Sequence, residues 1–184
     1  MFTHRIDDDL ELRLLEESDA ESLFDILHRN WDRFEPWFGA DFLPETLSVM
    51  QERVSTSISR AKSKKSYEVL ILMNEEIVGR IFIYAIDNKN HVAELAYWID
   101  GDATGRGIVH RSCCKVISDA FEVLKLNRIQ IRTHPDHKRS ITVAKKLGFQ
   151  HEGRIRQDYF RNGEHEDSEL FSLLASEWRE RSGE

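Results

Sequence analysis

Cysteine, proline and unbroken apolar sequence are all scarce in this chain of 184 residues. The only two cysteines, Cys113 and Cys114, are adjacent, which is poor material for a disulfide framework and points to a reducing, cytoplasmic compartment. With three prolines and nine glycines spread along the chain, no linker, repeat or low-complexity tract breaks it. No apolar run approaches the ~20 residues of a membrane span, and Met1 to Arg5 lead into acids, where a secretion signal would have an apolar core. Positive charge is also short. The 26 Lys and Arg against 33 Asp and Glu leave a net charge of −7, which excludes a broad basic footprint for nucleic acid or an anionic membrane. What is present is ordinary for a globular protein, with 40% hydrophobic and 32% charged residues. This length favours a single domain over residues 1–184.

The pattern alternates strands with helices. Leu10, Leu12 and Leu14 alternate with polar residues and predict a half-buried strand. Ser18 with Glu21 has capping-box spacing and opens a helix to about Asn30; Pro44-Glu45 opens another to about Lys62. Tyr67–Met73 and Ile77–Ala85 read as a hairpin, followed by a strand over Val92–Ile99. An apolar stripe of Val109, Cys113, Val116, Ile117, Ala120 and Leu124 predicts a helix over Gly105–Leu124. A strand over Arg128–Thr133 and a short helix over Ser140–Leu147 come next, the helix stopped at Gly148. Two last strands, Phe149–Phe160 and Glu166–Leu174, flank Asn162-Gly163, a strong hairpin turn. The order β-α-α-β-β-β-α-β-α-β-β is that of a mixed α/β sheet with helices.

The segment from Tyr97 to Val109 ends a strand, turns through Gly101, Gly105 and Gly107, and starts an amphipathic helix. Glycines let backbone amides approach a ligand, and free N–H groups at a helix start favour phosphate. Such a turn serves equally for chain reversal alone. The segment has neither G-x-x-x-x-G-K-[ST] nor the third glycine of a dinucleotide fingerprint. Trp31, Phe34, Trp37, Phe38 and Phe42 crowd the stretch between the first two helices, as core under a loop or as a clamp for substrate. His134, Asp136 and His137 could ligate zinc, but no H-E-x-x-H is present and no metal is assigned.

At this point the chain resembles the GNAT superfamily of acetyl-CoA-dependent N-acetyltransferases. Thr104-Gly105-Arg106-Gly107-Ile108-Val109 stands where that family reads Q/R-x-x-G-x-G/A. Glu94-Leu95-Ala96-Tyr97-Trp98-Ile99 is similar to the E-[IL]-G-Y-W-[IL] strand of the RimJ/RimL branch, which acetylates ribosomal-protein N-termini. Ser140 to Phe149 is similar to that branch's S-x(3)-A-x(2)-[LI]-G-F segment, and Glu152-Gly153 and Asn162-Gly163 follow in its order. Thr104 and Val109 depart from the loop pattern, His137 stands where the family usually has an asparagine for the pantetheine arm, and Tyr159 where some members have a glutamate base.

The resemblance implies the GNAT fold, a mostly antiparallel sheet splayed at two parallel strands. The pantetheine arm would lie between Val92–Ile99 and Arg128–Thr133, held by backbone groups of Trp98 and Ile99, with His137 and Ser140 nearby. Residues 104–109 would hold the diphosphate. A strand N–H would stabilise the thioester oxygen, and transfer would be direct, without an acyl-enzyme. Glu94 is the first candidate for the base and Ser140 for the thiolate's proton donor, with Tyr159 a second donor. Each has a structural alternative: an ion pair for Glu94, a helix cap for Ser140, packing for Tyr159. The implied acceptor is a protein α-amine, with a small amine such as an antibiotic, polyamine or amino acid as the alternative, or a non-catalytic CoA-binding module. Branch members are often dimers, so a homodimer is an open expectation.

Overall fold

In the computed structural model, which describes residues 1–182, eight strands form one sheet with helices on both faces. In chain order these are β1 (His4–Arg5), β2 (Leu10–Leu14), α1 (Ala20–Arg29), α2 (Trp31–Phe38), α3 (Leu47–Lys62), β3 (Tyr67–Met73), β4 (Glu76–Asp87) and β5 (Val92–Ile99). They continue with α4 (Ile108–Glu122), β6 (Arg128–Thr133), α5 (Lys138–Leu147), β7 (Gln150–Arg161), β8 (Glu164–Leu174) and α6 (Ala175–Ser182). The sheet order is β1-β2-β3-β4-β5-β6-β8-β7, and β5–β6 is its one parallel pair.

Period-2 patterning sends alternate side chains to two separate cores. Val69, Ile71, Ile81, Ile83 and Leu95 pack under α4 and α5, where Cys113, Val116, Ile117 and Ala120 form the buried stripe of α4. Leu70, Leu72 and Trp98 face the other way, against Leu23, Leu27, Phe34, Met50 and Val54 of α1, α2 and α3. The Asn162-Gly163 turn has φ of 51° and 85°, positive at both central residues as the tight β7–β8 hairpin requires.

Several boundaries differ from the sequence pattern, each for a local reason. The expected Ser18–Glu21 capping box gives way to one set two residues earlier, between Glu16 and Asp19. Asp19 accepts the Glu16 N–H at 2.7 Å and is gripped by both terminal nitrogens of Arg13, each at 2.7 Å. α3 starts at Leu47 rather than at Pro44, because Thr46 caps it by accepting the Val49 N–H at 3.3 Å. α4 starts at Ile108, because Gly105 and Gly107 both have positive φ. The aromatic stretch is itself helical: α2 keeps Pro36 inside it and ends at Gly39. β1 is added by Asp119, a buried carboxylate on α4 that receives the Phe2 N–H and lies 2.9 Å from His4 Nε2.

Candidate active site

The β5–β6 ladder holds only at Val92–Arg128, Ala93–Ile129 and Glu94–Gln130. Beyond it the strands part, and a cleft of about 600 Å³ opens between Leu95–Tyr97 and Ile131–Thr133. The far side of β5 is occupied: Asp100 N–H donates to Val78 O at 2.7 Å, and the register pairs Trp98 with Arg80 and Ala96 with Phe82. Antiparallel bonding alternates along a strand, so Trp98 turns its backbone groups to β4. Leu95 still belongs to the ladder through its N–H, while Tyr97 and Ile99 turn their backbone groups into the gap. Of the two residues expected to hold a cofactor arm by their backbone, Ile99 faces the gap and Trp98 does not. The Trp98 ring packs 5.6 Å from Phe34.

Past the C-terminal end of β5, the end at which it parts from β6, lies the glycine turn. Gly105 and Gly107 have φ of 81° and 69°, and a Cβ on either would meet nothing within 4 Å. They are needed for conformation, and the loop faces open space. The first helical bond of α4 runs from Arg111 N–H to Gly107 O at 3.1 Å, so the N–H groups ahead of it are the unpaired ones of a helix start. Thr104 turns its hydroxyl onto Gly101 O at 2.9 Å, Arg106 is exposed, and Ile108 is buried in the core while Val109 is only partly so. A buried Asp100 fixes the base of the turn through Arg29 and through Asn30 Nδ2 at 3.1 Å. Asn30 Oδ1 in turn accepts the Gly101 N–H at 2.8 Å. An anionic diphosphate fits this loop, whose backbone donors are free and whose glycines add no bulk.

Deeper in the cleft, Ser140 and Tyr97 meet at 3.3 Å between hydroxyl oxygens. Ser140 is the third residue of α5, and His137 takes the N-cap position, so the capping alternative for Ser140 does not apply. Burial holds the Tyr97 hydroxyl well above the usual phenol range. His137 stacks on Trp37 with centroids 4.0 Å apart and planes at 5°. Burial, with Arg139, His134 and Arg161 close by, lowers its pKa to about 4, so the ring is neutral at pH 7. An unfolded histidine titrates near 6.5, so between pH 6.5 and 4 the unfolded chain binds the extra proton and stability falls on acidification. The His137→Asn variant is expected to lose roughly 2 kcal/mol of that pH dependence, discounting for partial exposure. Urea unfolding at pH 7 and pH 4.5 would measure it, and an equal slope in both proteins would refute the assignment.

Glu94 stands one layer behind the wall. It is 5% exposed and receives Arg132 Nε at 3.1 Å, the Tyr84 hydroxyl at 3.0 Å, and Arg132 NH2 on its other oxygen. A carboxylate offers about four acceptor positions, and these bonds occupy three. Arg132 and Tyr84 themselves line the cleft. Arg132 also bonds Asp158, at 3.2 Å, and Asp158 receives the Ser168 hydroxyl at 2.5 Å. Tyr159 lines the same space, its pKa pushed up to about 12 by burial. Sequence reasoning did not find Tyr84, Tyr97, Arg132 or Asp158. Arg132 was visible as the polar phase of a strand whose Ile129 and Ile131 point into the core.

The aromatic stretch divides. Trp37 and Phe38 line the cleft, while Phe34 is buried against Trp98. Arg161 ties this roof to the β7–β8 hairpin by donating to Trp37 O, and Ala40 N–H reaches Asn162 Oδ1 at 3.4 Å. Cys113 is fully buried in the core under α4, and the half-buried Cys114 lies 3.9 Å from His110; neither lines the cleft. Among the described residues no group of three or more His, Cys, Asp or Glu side chains is arranged to hold a metal, and no helix is long and apolar enough to cross a membrane.

Residues 9–150 match the family model of the acetyltransferase (GNAT) domain. Over 179 residues the chain is 32% identical to the putative ribosomal N-acetyltransferase YdaF of Bacillus subtilis (strain 168), covering 97% of this chain and 98% of that protein. A solved structure described as a probable acetyltransferase superposes with a TM-score of 0.89 at 32% identity, over 97% of this chain and 99% of that one. RimL, a ribosomal L7/L12 α-N-protein acetyltransferase in complex with coenzyme A, superposes with a TM-score of 0.88 at 22% identity, over 94% and 98%. The splayed parallel pair and the family match over most of its length agree: this chain is a member of the GNAT family of N-acetyltransferases.

Proposed function

We propose that this enzyme transfers the acetyl group of acetyl-CoA directly to the N-terminal α-amine of a protein, a ribosomal protein first among the acceptors. The observation that carries the reading is the gap inside the sheet, with free backbone groups along one wall and unpaired glycine-loop amides following the strand end at which the gap opens. The amides of residues 105–109, with Thr104 bracing the turn through Gly101 O, receive the diphosphate, and Ile99 with Tyr97 offers the strand edge to the pantetheine arm. His137, neutral and stacked on Trp37, borders that arm. Acetyl-CoA supplies the activated acyl group and a thiol leaving group. Ser140 gives its proton to the departing sulfur, and Tyr97, held protonated by burial, backs the serine hydroxyl.

Glu94 acts as a positioning residue. It holds Arg132 and Tyr84 at the acceptor wall, and Tyr159 stays protonated there as a hydrogen-bond donor. An α-amine with an ordinary pKa of 7.7–8.0 is partly neutral at pH 7, so attack does not require a strong base on the wall. The proton that the nitrogen sheds on forming the amide passes through solvent to the Ser140 oxygen, replacing the one given to the sulfur. The α-amine reading is supported by the relatives described as ribosomal N-acetyltransferases.

Calorimetric titration with acetyl-CoA, followed by thiol release against peptide N-termini, spermidine and other small amines, tests this. Micromolar binding with turnover on peptides is the expected result. Turnover confined to small amines would overturn the acceptor, and binding without turnover on any amine would favour a CoA-binding module.

A further inference from the structure

A second cavity, of about 320 Å³, lies between α3 and the β3–β4 face. Arg53 and Arg60 of α3 and Arg80 of β4 all line it, and Ser57 adds a hydroxyl. Arg80 is 6% exposed and 4.9 Å from the centre of the Phe82 ring. Among the described residues its ion-pair partner is Glu68, which already takes the Ser57 hydroxyl at 2.6 Å on its other oxygen, and Arg80 Nε has no acceptor. A buried guanidinium has five donors to satisfy, and leaving them unmet is costly. Burial lowers the Arg80 pKa to about 9, with the Asp19 carboxylate pulling it the other way. Arg60 has no ion-pair partner among the described residues.

Three arginines against the carboxylates of Glu52 and Glu68 leave the lining one positive charge in surplus. That balance matches a monocarboxylate, which guanidinium groups bind through paired bonds. A dianionic phosphate would overshoot it and meet both glutamates. The position is informative too. Phe82 lines this cavity and Tyr84, two residues along the same face of β4, lines the catalytic cleft, a separation of roughly 7 Å. Phe42 and Asp41 divide between the two cavities in the same way. Arg53 joins them by donating to Phe42 O at 2.5 Å and Asp41 O at 3.2 Å.

We propose that the pocket formed by Arg53, Arg60 and Arg80 is a carboxylate-binding site adjoining the acceptor end of the cleft. Its ligand is an acidic group carried by the acceptor close to the amine, or a free carboxylate with the same chemistry. The first of these sources rests on the acetyltransfer reading above, while the site itself does not.

Direct binding is therefore measured first, without turnover. Acetate titrated against chloride at constant ionic strength is expected to raise the thermal midpoint saturably. Half-saturation is expected about tenfold weaker in Arg60→Gln, equivalent to about 1.4 kcal/mol from one charge-assisted bond. Arg60 is exposed, so this variant keeps its fold, and unchanged acetyl-CoA affinity would verify that. The absence of a saturable shift, an equal shift in Arg60→Gln, or tighter binding of inorganic phosphate than of acetate would overturn the site. The second arm compares KM for peptides that differ only by aspartate or alanine at position 2 or 3. A lower KM for the acidic peptide, lost in Arg60→Gln, assigns the carboxylate to the acceptor. Acetate binding without peptide discrimination assigns it to a free carboxylate.

Discussion

Replacing Gly107 with glutamate is expected to weaken acetyl-CoA binding by about 100-fold or more, near 2.7 kcal/mol. Two effects add. The position has φ of 69°, where a residue with a Cβ costs about 1–2 kcal/mol, and the new carboxylate would sit among the amides proposed to receive the diphosphate. Steric blockage within the protein is not part of the effect, since a Cβ there meets nothing within 4 Å. Charge and conformation can therefore be separated. Gly107→Asn tolerates the left-handed conformation and brings no charge, so it should retain affinity to within several-fold. The fold should survive both changes, because α4 is anchored at the next residue by the buried Ile108. Calorimetric titration of the two variants distinguishes the contributions, and unchanged affinity in the glutamate variant would remove the loop from the cofactor site.

Arg132→Met is expected to cost about 3–5 kcal/mol of stability, because it strands a buried charge. Glu94 would keep only the Tyr84 hydroxyl, and Asp158 would keep only Ser168. Both carboxylates are well shielded, with side chains 6% and 13% exposed, so neither can recover its hydration without moving. A neutral partner reverses much of this. In Arg132→Met with Glu94→Gln the buried group carries no charge, and the double variant should be more stable than Arg132→Met alone. Urea midpoints for the two single variants and the double form a cycle whose coupling reads the pair directly. Additive losses would mean that Glu94 and Arg132 do not depend on each other, and the positioning role of Glu94 would fall with them.

Much of the architecture was legible because the apolar alternation of the strands and the stripe on α4 are strong local signals. β2, β3, β5 and β6 carry the same bounds in sequence and structure. The left-handed turn ahead of α4 was legible through its glycines. α2 was not, because Pro36 reads as a breaker although Trp31, Phe34 and Trp37 already repeat every three residues. Ser18 was mistaken for a cap because nothing local shows that Arg13, six residues before Asp19, would draw that carboxylate into an earlier turn. The deeper site was the least readable. Glu94 was named for chemistry from its place on a strand, but its environment is set by Tyr84, Arg132 and Asp158, from three other strands. Whether a carboxylate faces substrate or stands behind an arginine depends on side-chain packing across the sheet, and that information is non-local.

The internal gap also affects how this sheet breathes. On β5, Trp98 and Ala96 spend their amides on β4, as central-strand residues do, while Tyr97 and Ile99 hold theirs out like edge residues. Amide hydrogen exchange along this one strand should alternate between slow and fast from residue to residue, deep inside the molecule. An exposed edge at the margin of a sheet invites another chain to pair with it. Here the edge is recessed between β5 and β6, inside the sheet and away from the margins where such pairing starts.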